Sequence, residues 1–177
     1  MDKPESLKDL LMLELSRRNT DMVADLILQK PDLLEELFAT FLRNEEPVSR
    51  RAAWVIDTIT EERNDLLTPF LDKIIAALPQ FGHDGLKRHS LRMLARSAIS
   101  IDRLGELMNL CFEWLTSPKE AVATKIYCME ILYQISVKEP DLKKELADSI
   151  EWRMQEESPG FRNRASKLLT KLYREMQ

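Results

Sequence analysis

Glycine occurs four times in 177 residues, too seldom for a fold built on tight hairpins or for a loop that cradles phosphate on its backbone N–H groups. Histidine is scarcer still. His83, in the segment FGHDG, and His89 are the only two, and they lack the one-face spacing of a helical metal pair. Both are expected at the surface, His83 in a loop and His89 at a helix start. The two cysteines, Cys111 and Cys128, fall in predicted helix core slots, which suits small buried hydrophobes rather than a disulfide or a nucleophile. No apolar run approaches the ~20 residues needed to cross a bilayer. The N-terminal segment MDKPESLKDLLMLELSRR has no basic region followed by an apolar signal stretch. Cytoplasmic placement is the expectation, without membrane, metal or cofactor.

Catalytic constellations are missing as well. The paired carboxylates Glu35-Glu36, Glu45-Glu46, Glu61-Glu62 and Glu156-Glu157 sit where solvated charge sits, at helix ends and on polar faces. No serine or cysteine stands beside a base in a pattern that chance would not supply. The sequence therefore names no catalytic residue, and an enzyme is not expected.

What is present is a hydrophobic content of 44%, a charged content of 32% and a net charge of −4, a composition that can bury a core and is expected to form one domain over residues 1–177. A twelve-residue pattern recurs in it. VSRRAAWVIDTI begins at Val48, and copies begin at Leu86 (LKRHSLRMLARS), Thr124 (TKIYCMEILYQI) and Phe161 (FRNRASKLLTKL), in steps of 38, 38 and 37 residues. A period of that size marks stacked repeats. The fifth residue of each copy is small (Ala52, Ser90, Cys128, Ala165) and the eighth and ninth are aliphatic or Met. On a helix these positions share a face, and a small residue there admits a neighbouring helix at the roughly 8–10 Å of close packing. The seventh slot, held by Trp54, Arg92, Glu130 and Lys167, should face outward.

Each copy follows a helix with its own stripe at i, i+3, i+4, i+7 spacing: over 31–43, 66–78, 104–115 and 142–154. Pro69 lies within the second of these, so that helix should start at Thr68 or kink there. Ahead of the repeats, two short helices are expected at about Pro4–Arg17, with Leu7, Leu10, Leu11 and Leu15 on one side, and Thr20–Gln29, capped by Thr20 or Asn19. The organisation is thus a degenerate N-terminal helix pair over 1–30 and repeats over about 31–61, 63–99, 102–138 and 140–177.

The second helix of each pair resembles that of a HEAT repeat, and RRAAWVIDTI resembles the AAW segment of armadillo repeats. Two helices per repeat favour HEAT. The resemblance, carried by residues 31–176, implies an all-α fold: a right-handed α-solenoid of about five antiparallel helix pairs whose second helices line the concave side.

The four copies sum to +9 in a chain of net −4, so the second helices are basic and the remainder is acidic. A basic inner surface would attract phosphate or acidic protein segments, unless acids on neighbouring helices neutralise it. Arg50, Trp54, Arg88, Arg92, Lys125 and Lys167 are the candidate partner-binding residues, Trp54 as an interface anchor beside Arg50. The first functional expectation is a non-catalytic interaction or scaffold module for a protein or peptide. The alternative is nucleic-acid binding. Some bacterial alkylpurine DNA glycosylases resemble this fold, and Trp54 and Asp57 would be the counterparts of their Trp and Asp. Self-association through an uncovered end of the stack, by Leu7 and Leu11 or by Phe161 and Leu172, is a further possibility.

Overall fold

The computed structural model describes residues 6–177, so the expected start of the first helix near Pro4 lies outside the described residues. The chain divides into two compact units, Met1–Ser97 and Ala98–Gln177, and the boundary falls at the end of the second repeat. Every described regular element is helical.

In the N-terminal unit, α1 (Leu7–Met12) opens with a capping box: the Ser6 hydroxyl accepts from the Asp9 N–H while the Asp9 carboxylate accepts from the Ser6 N–H. The helix is shorter than its apolar pattern suggests, and Leu15 is left exposed beyond it. α2 (Arg17–Gln29) begins three residues before the expected cap. Ser16 is the cap, accepting from the Asn19 N–H at 3.1 Å. Asn19 and Thr20 are buried instead, with Asn19 Nδ2 donating to the Leu10 carbonyl at 3.0 Å. The local propensity of these side chains for a cap gives way to tertiary use: Asn19 ties α2 to the last turn of α1.

α3 (Leu33–Leu42) ends through Asn44, the one described non-glycine residue in the left-handed region, with φ 58. Its side-chain amide donates to the Gln80 carbonyl at 2.9 Å. α4 (Val48–Glu62) carries the first repeat motif and packs on α1, α2 and α3. Pro69 neither starts nor kinks an α-helix. Residues Asn64–Phe70 form a 3-10 helix through it, and α5 (Leu71–Ala77) begins after it, because the tighter turn needs no N–H from proline at that point. The Phe38 and Phe70 rings stack with centroids 3.7 Å apart. α6 (Asp84–Ala95) completes the unit against α4.

The C-terminal unit comprises α7 (Ile101–Thr116), α8 (Val122–Lys138), α9 (Leu142–Met154) and α10 (Pro159–Glu175). Pro159 occupies the first turn of α10, where its missing N–H has no partner to lose, and Ser158 caps the same turn. Cys111, Cys128 and Trp114 are all buried in the core of this unit.

The slots of the repeat carry the packing. Ala52, Ser90, Cys128 and Ala165 are all fully buried, as are Val55-Ile56, Met93-Leu94 and Ile131-Leu132. The seventh-slot residues face outward to different degrees: Trp54, Arg92 and Glu130 are half-buried and Lys167 is exposed. The four residues expected to mediate self-association are not available for it. Leu7, Leu11, Phe161 and Leu172 all lie inside their own units, because the terminal helices turn their apolar stripes inward like the others.

A larger side chain in the small slot must overfill a closed interface. Ala52→Leu is expected to destabilise the protein by about 1–3 kcal/mol, read as a lowered urea midpoint with the slope unchanged.

Candidate functional site

The six candidate residues divide between the units. On α4 and α6, Arg50 donates to Glu46 at 3.1 Å and lays its stem against Gly85, where an added Cβ would stand 2.7 Å from Arg50 Cδ. A larger residue at 85 would have to displace the Arg50 side chain. Trp54 stacks on the His89 ring with centroids 6.3 Å apart. Arg88 is exposed, its guanidinium 3.4 Å from His89 Nε2. Arg92 reaches back to α4, to Asp57 at 3.1 Å and to Glu61.

These contacts converge on Asp57, which is fully buried. His89 Nδ1 donates to Oδ2 at 2.8 Å, Arg92 donates to the same oxygen, and Arg96 donates to Oδ1 at 2.7 Å. A carboxylate accepts only, so the Nδ1 proton is fixed on His89. Burial pushes the Asp57 carboxyl up, but the hydrogen bonds and charges of His89 and Arg96 outweigh it and hold the group below its usual 3.8. His89 is thus an interior residue and not the surface histidine its position suggested. Asp57 is equally far from the open acid of a glycosylase site: both oxygens are occupied by donors.

Lys125 has a similar fate in the C-terminal unit. It is buried on the first turn of α8 with its ammonium on Glu157 Oε1, and Arg153 Nε donates to the same oxygen at 2.7 Å. Glu157 lies in the turn between α9 and α10, so the cluster pins that turn to α8. Burial raises the Glu157 carboxyl; the donors Lys125 and Arg153 outweigh it and leave the group below its usual 4.5. Lys125 is therefore a structural cation and cannot face a partner.

Lys167 is the exception. With Arg164, Leu168 and Lys171 of α10 it borders a groove of about 390 Å³ whose other wall is Ile126, Met129, Glu130, Tyr133 and Gln134 of α8. Both walls follow helical face spacing. The floor is aliphatic: Ile126 and Leu168 are half-buried and Met129 lies beneath them. Glu130 accepts from Arg164 at 2.5 Å, and the Lys171 ammonium stands 4.2 Å from the centre of the Tyr133 ring. Lys167 is exposed and makes no ion pair among the described residues. Among the lining residues three cations stand against one carboxylate, with Glu175 at the Tyr133 end accepting from its hydroxyl at 2.7 Å, which leaves the rim positive around Lys167.

Sequence reasoning missed His89, Arg96, Arg153 and Glu157. A signal existed: the ion pairs that link successive repeats join residues 31 to 39 apart, close to the repeat period itself. Among the described residues no group of His, Cys, Asp or Glu could hold a metal ion, and no helix is long and apolar enough to cross a membrane.

Removing one member of a buried ion cluster strands the others. Glu157→Gln is expected to destabilise the protein by about 3–5 kcal/mol at neutral pH. Because the folded-state carboxyl titrates below its usual 4.5, its stabilisation is complete above that value and is lost as pH falls through the depressed folded value. Melting curves of the wild type and the variant should therefore converge in acid; a constant gap would show that the charge of Glu157 is not what stabilises the turn.

No curated protein matches the chain, and no solved structure does. A family model for a HEAT repeat domain matches residues 7–172, from the start of α1 to the last turn of α10. The helix pairs, the recurring small slot and this match agree: the chain belongs to the HEAT repeat domain family.

Proposed function

We propose that the protein is a non-catalytic protein-interaction module and that the α8–α10 groove is its docking surface for an acidic segment carrying an apolar anchor. The observation that carries this reading is the combination within one groove of an aliphatic floor, from Ile126, Met129 and Leu168, and a rim of Arg164, Lys167 and Lys171. Helical segments with one apolar face bind such grooves through a few anchors, and rim charge adds orientation and association rate. The α4–α6 face supports the role less well. Arg50, Arg92 and Arg96 are engaged by Glu46, Glu61 and Asp57, which leaves Arg88 as its exposed cation.

Internal neutralisation also weighs against the nucleic-acid alternative. Phosphate binding needs several cations free along a surface, and the acids beside α4 and α6 already occupy theirs.

The test is fluorescence polarisation with a labelled amphipathic peptide in which Glu residues flank a single Leu on one helical face, and with a labelled DNA duplex as comparison. The peptide should bind at low salt and weaken as salt rises. The double variant K167E/K171E should lower its affinity by about tenfold or more, while Arg88→Glu leaves it unchanged. Peptide binding indifferent to K167E/K171E, or tighter binding of the duplex at the same salt, would overturn the assignment of the groove.

A further inference from the structure

The outward seventh slot of the repeat motif holds Trp54, Arg92, Glu130 and Lys167, so the third copy alone places an acid there. Arg164 of the next copy lies opposite, donating to Glu130 Oε1 at 2.5 Å. Glu130 stands on α8 and Arg164 on α10, and both line the groove between these helices, so their ion pair crosses it from wall to wall. The two side chains are 36% and 57% exposed. A pair so open to water contributes little, because both charges remain hydrated and two long side chains must be held in one geometry. The second crossing, at Tyr133, is built more firmly. The Lys171 ammonium stands over the Tyr133 ring, the Tyr133 hydroxyl donates to Glu175 at 2.7 Å, and Glu175 also accepts from Lys143 at 3.0 Å. Lys167 lies about one helical turn from both Arg164 and Lys171, exposed and without an ion pair among the described residues.

We infer that Glu130 is an internal competitor that sets the selectivity of the groove: its carboxylate holds the place on Arg164 that an acidic ligand's carboxylate takes, and binding exchanges one for the other. The inference rests on the reading of the groove as a docking surface for an acidic segment with an apolar anchor. At Arg164 the exchange is carboxylate for carboxylate, so the ligand gains little there. Its net gain comes from Lys167, which has no acid to lose, and from apolar contact with Ile126 and Leu168. The displaced Glu130 then faces the ligand's acid with like charge, which weakens binding. Acidic charge alone therefore leaves the bridge in place, and a ligand opens it only when charge and apolar anchor act together. Glu130 is thus a specificity-determining residue that filters out acidic segments lacking the anchor.

A double-mutant cycle tests this, read by fluorescence polarisation at low salt with the labelled peptide in which Glu residues flank a single Leu. Glu130→Gln preserves the size of the side chain and removes its charge. It should tighten binding by about two- to fivefold, the range an exposed ion pair can account for. In the Arg164→Gln background the same change should give little gain, because no guanidinium is left to release, and this non-additivity is the signature of competition for Arg164. Each variant should show the wild-type circular dichroism. Unchanged affinity on Glu130→Gln, or an equal gain with and without Arg164, would overturn the competitor role. If the wild type in those cases still binds the peptide through Lys167 and Lys171, only the role of Glu130 is wrong. A peptide that binds neither the wild type nor Glu130→Gln would remove the groove reading as well.

Discussion

Each compact unit buries one carboxylate beneath cations drawn from other segments, and that pairing decides both how the helices dock and which charges remain for a partner. Asp57 gathers His89, Arg92 and Arg96 of the neighbouring repeat; Glu157 gathers Lys125 and Arg153. Apolar slots alone would let neighbouring helices slide along one another, because aliphatic contact is non-directional. A buried carboxylate with fixed donors fixes the helices in one register, since displacement by a turn would leave charge unpaired in the interior.

The same pairing redistributes the surface charge. Summed over the second helices, the formal charge is strongly positive, and a uniform basic face would follow if each cation kept to its own helix. In the N-terminal unit the cations instead reach back to Asp57, Glu46 and Glu61. In α10 they do so only partly: Arg164 finds Glu130, while Lys167 remains exposed and Lys171 rests on the face of Tyr133. The charge that reaches solvent is therefore uneven, with Arg88 exposed on the α4–α6 face and Lys167 and Lys171 beside the groove, and a groove with an aliphatic floor recognises shape and a few charges rather than a long polyanion.

The elements that could be read in the sequence are those set by periodicity within one helix. The small slot at Ala52, Ser90, Cys128 and Ala165, the inward pairs Val55-Ile56, Met93-Leu94 and Ile131-Leu132, and the burial of Cys111, Cys128 and Trp114 all follow from facing rules at 100° per residue, whereas Leu168 of the fourth pair is half-buried in the groove. Helix ends were less legible. Asn19 looks like a cap and serves as a buried bridge to α1, Thr20 turns its hydroxyl back to the Ser16 carbonyl, and Pro69 is absorbed into a 3-10 turn. The candidate site was only partly legible, because ion pairing between repeats depends on the axial offset of neighbouring helices. Lys125 and Arg92 look alike as exposed-type residues on a basic helix. Only the offset places Glu157 over the first, in the interior, and sets the second between the buried Asp57 and the half-exposed Glu61.

The inter-repeat ion pairs are separated by 31 to 39 residues, around the repeat step of 37 or 38. Most fall short of that step by up to about two helical turns at 3.6 residues per turn, while Asp57–Arg96 exceeds it, so one carboxylate gathers donors along the length of the next repeat's second helix. Charge pairing between repeats is thus a property of the stacked pair and not of either helix. It explains why the cations of a recurring motif can be neutralised at one copy and exposed at the next: what changes between copies is the partner on the neighbouring repeat. The acid in slot ten of the first copy, Asp57, is absent from that slot in the other three. In the last copy Arg164 is held by Glu130, while Lys167 and Lys171 face solvent beside the groove.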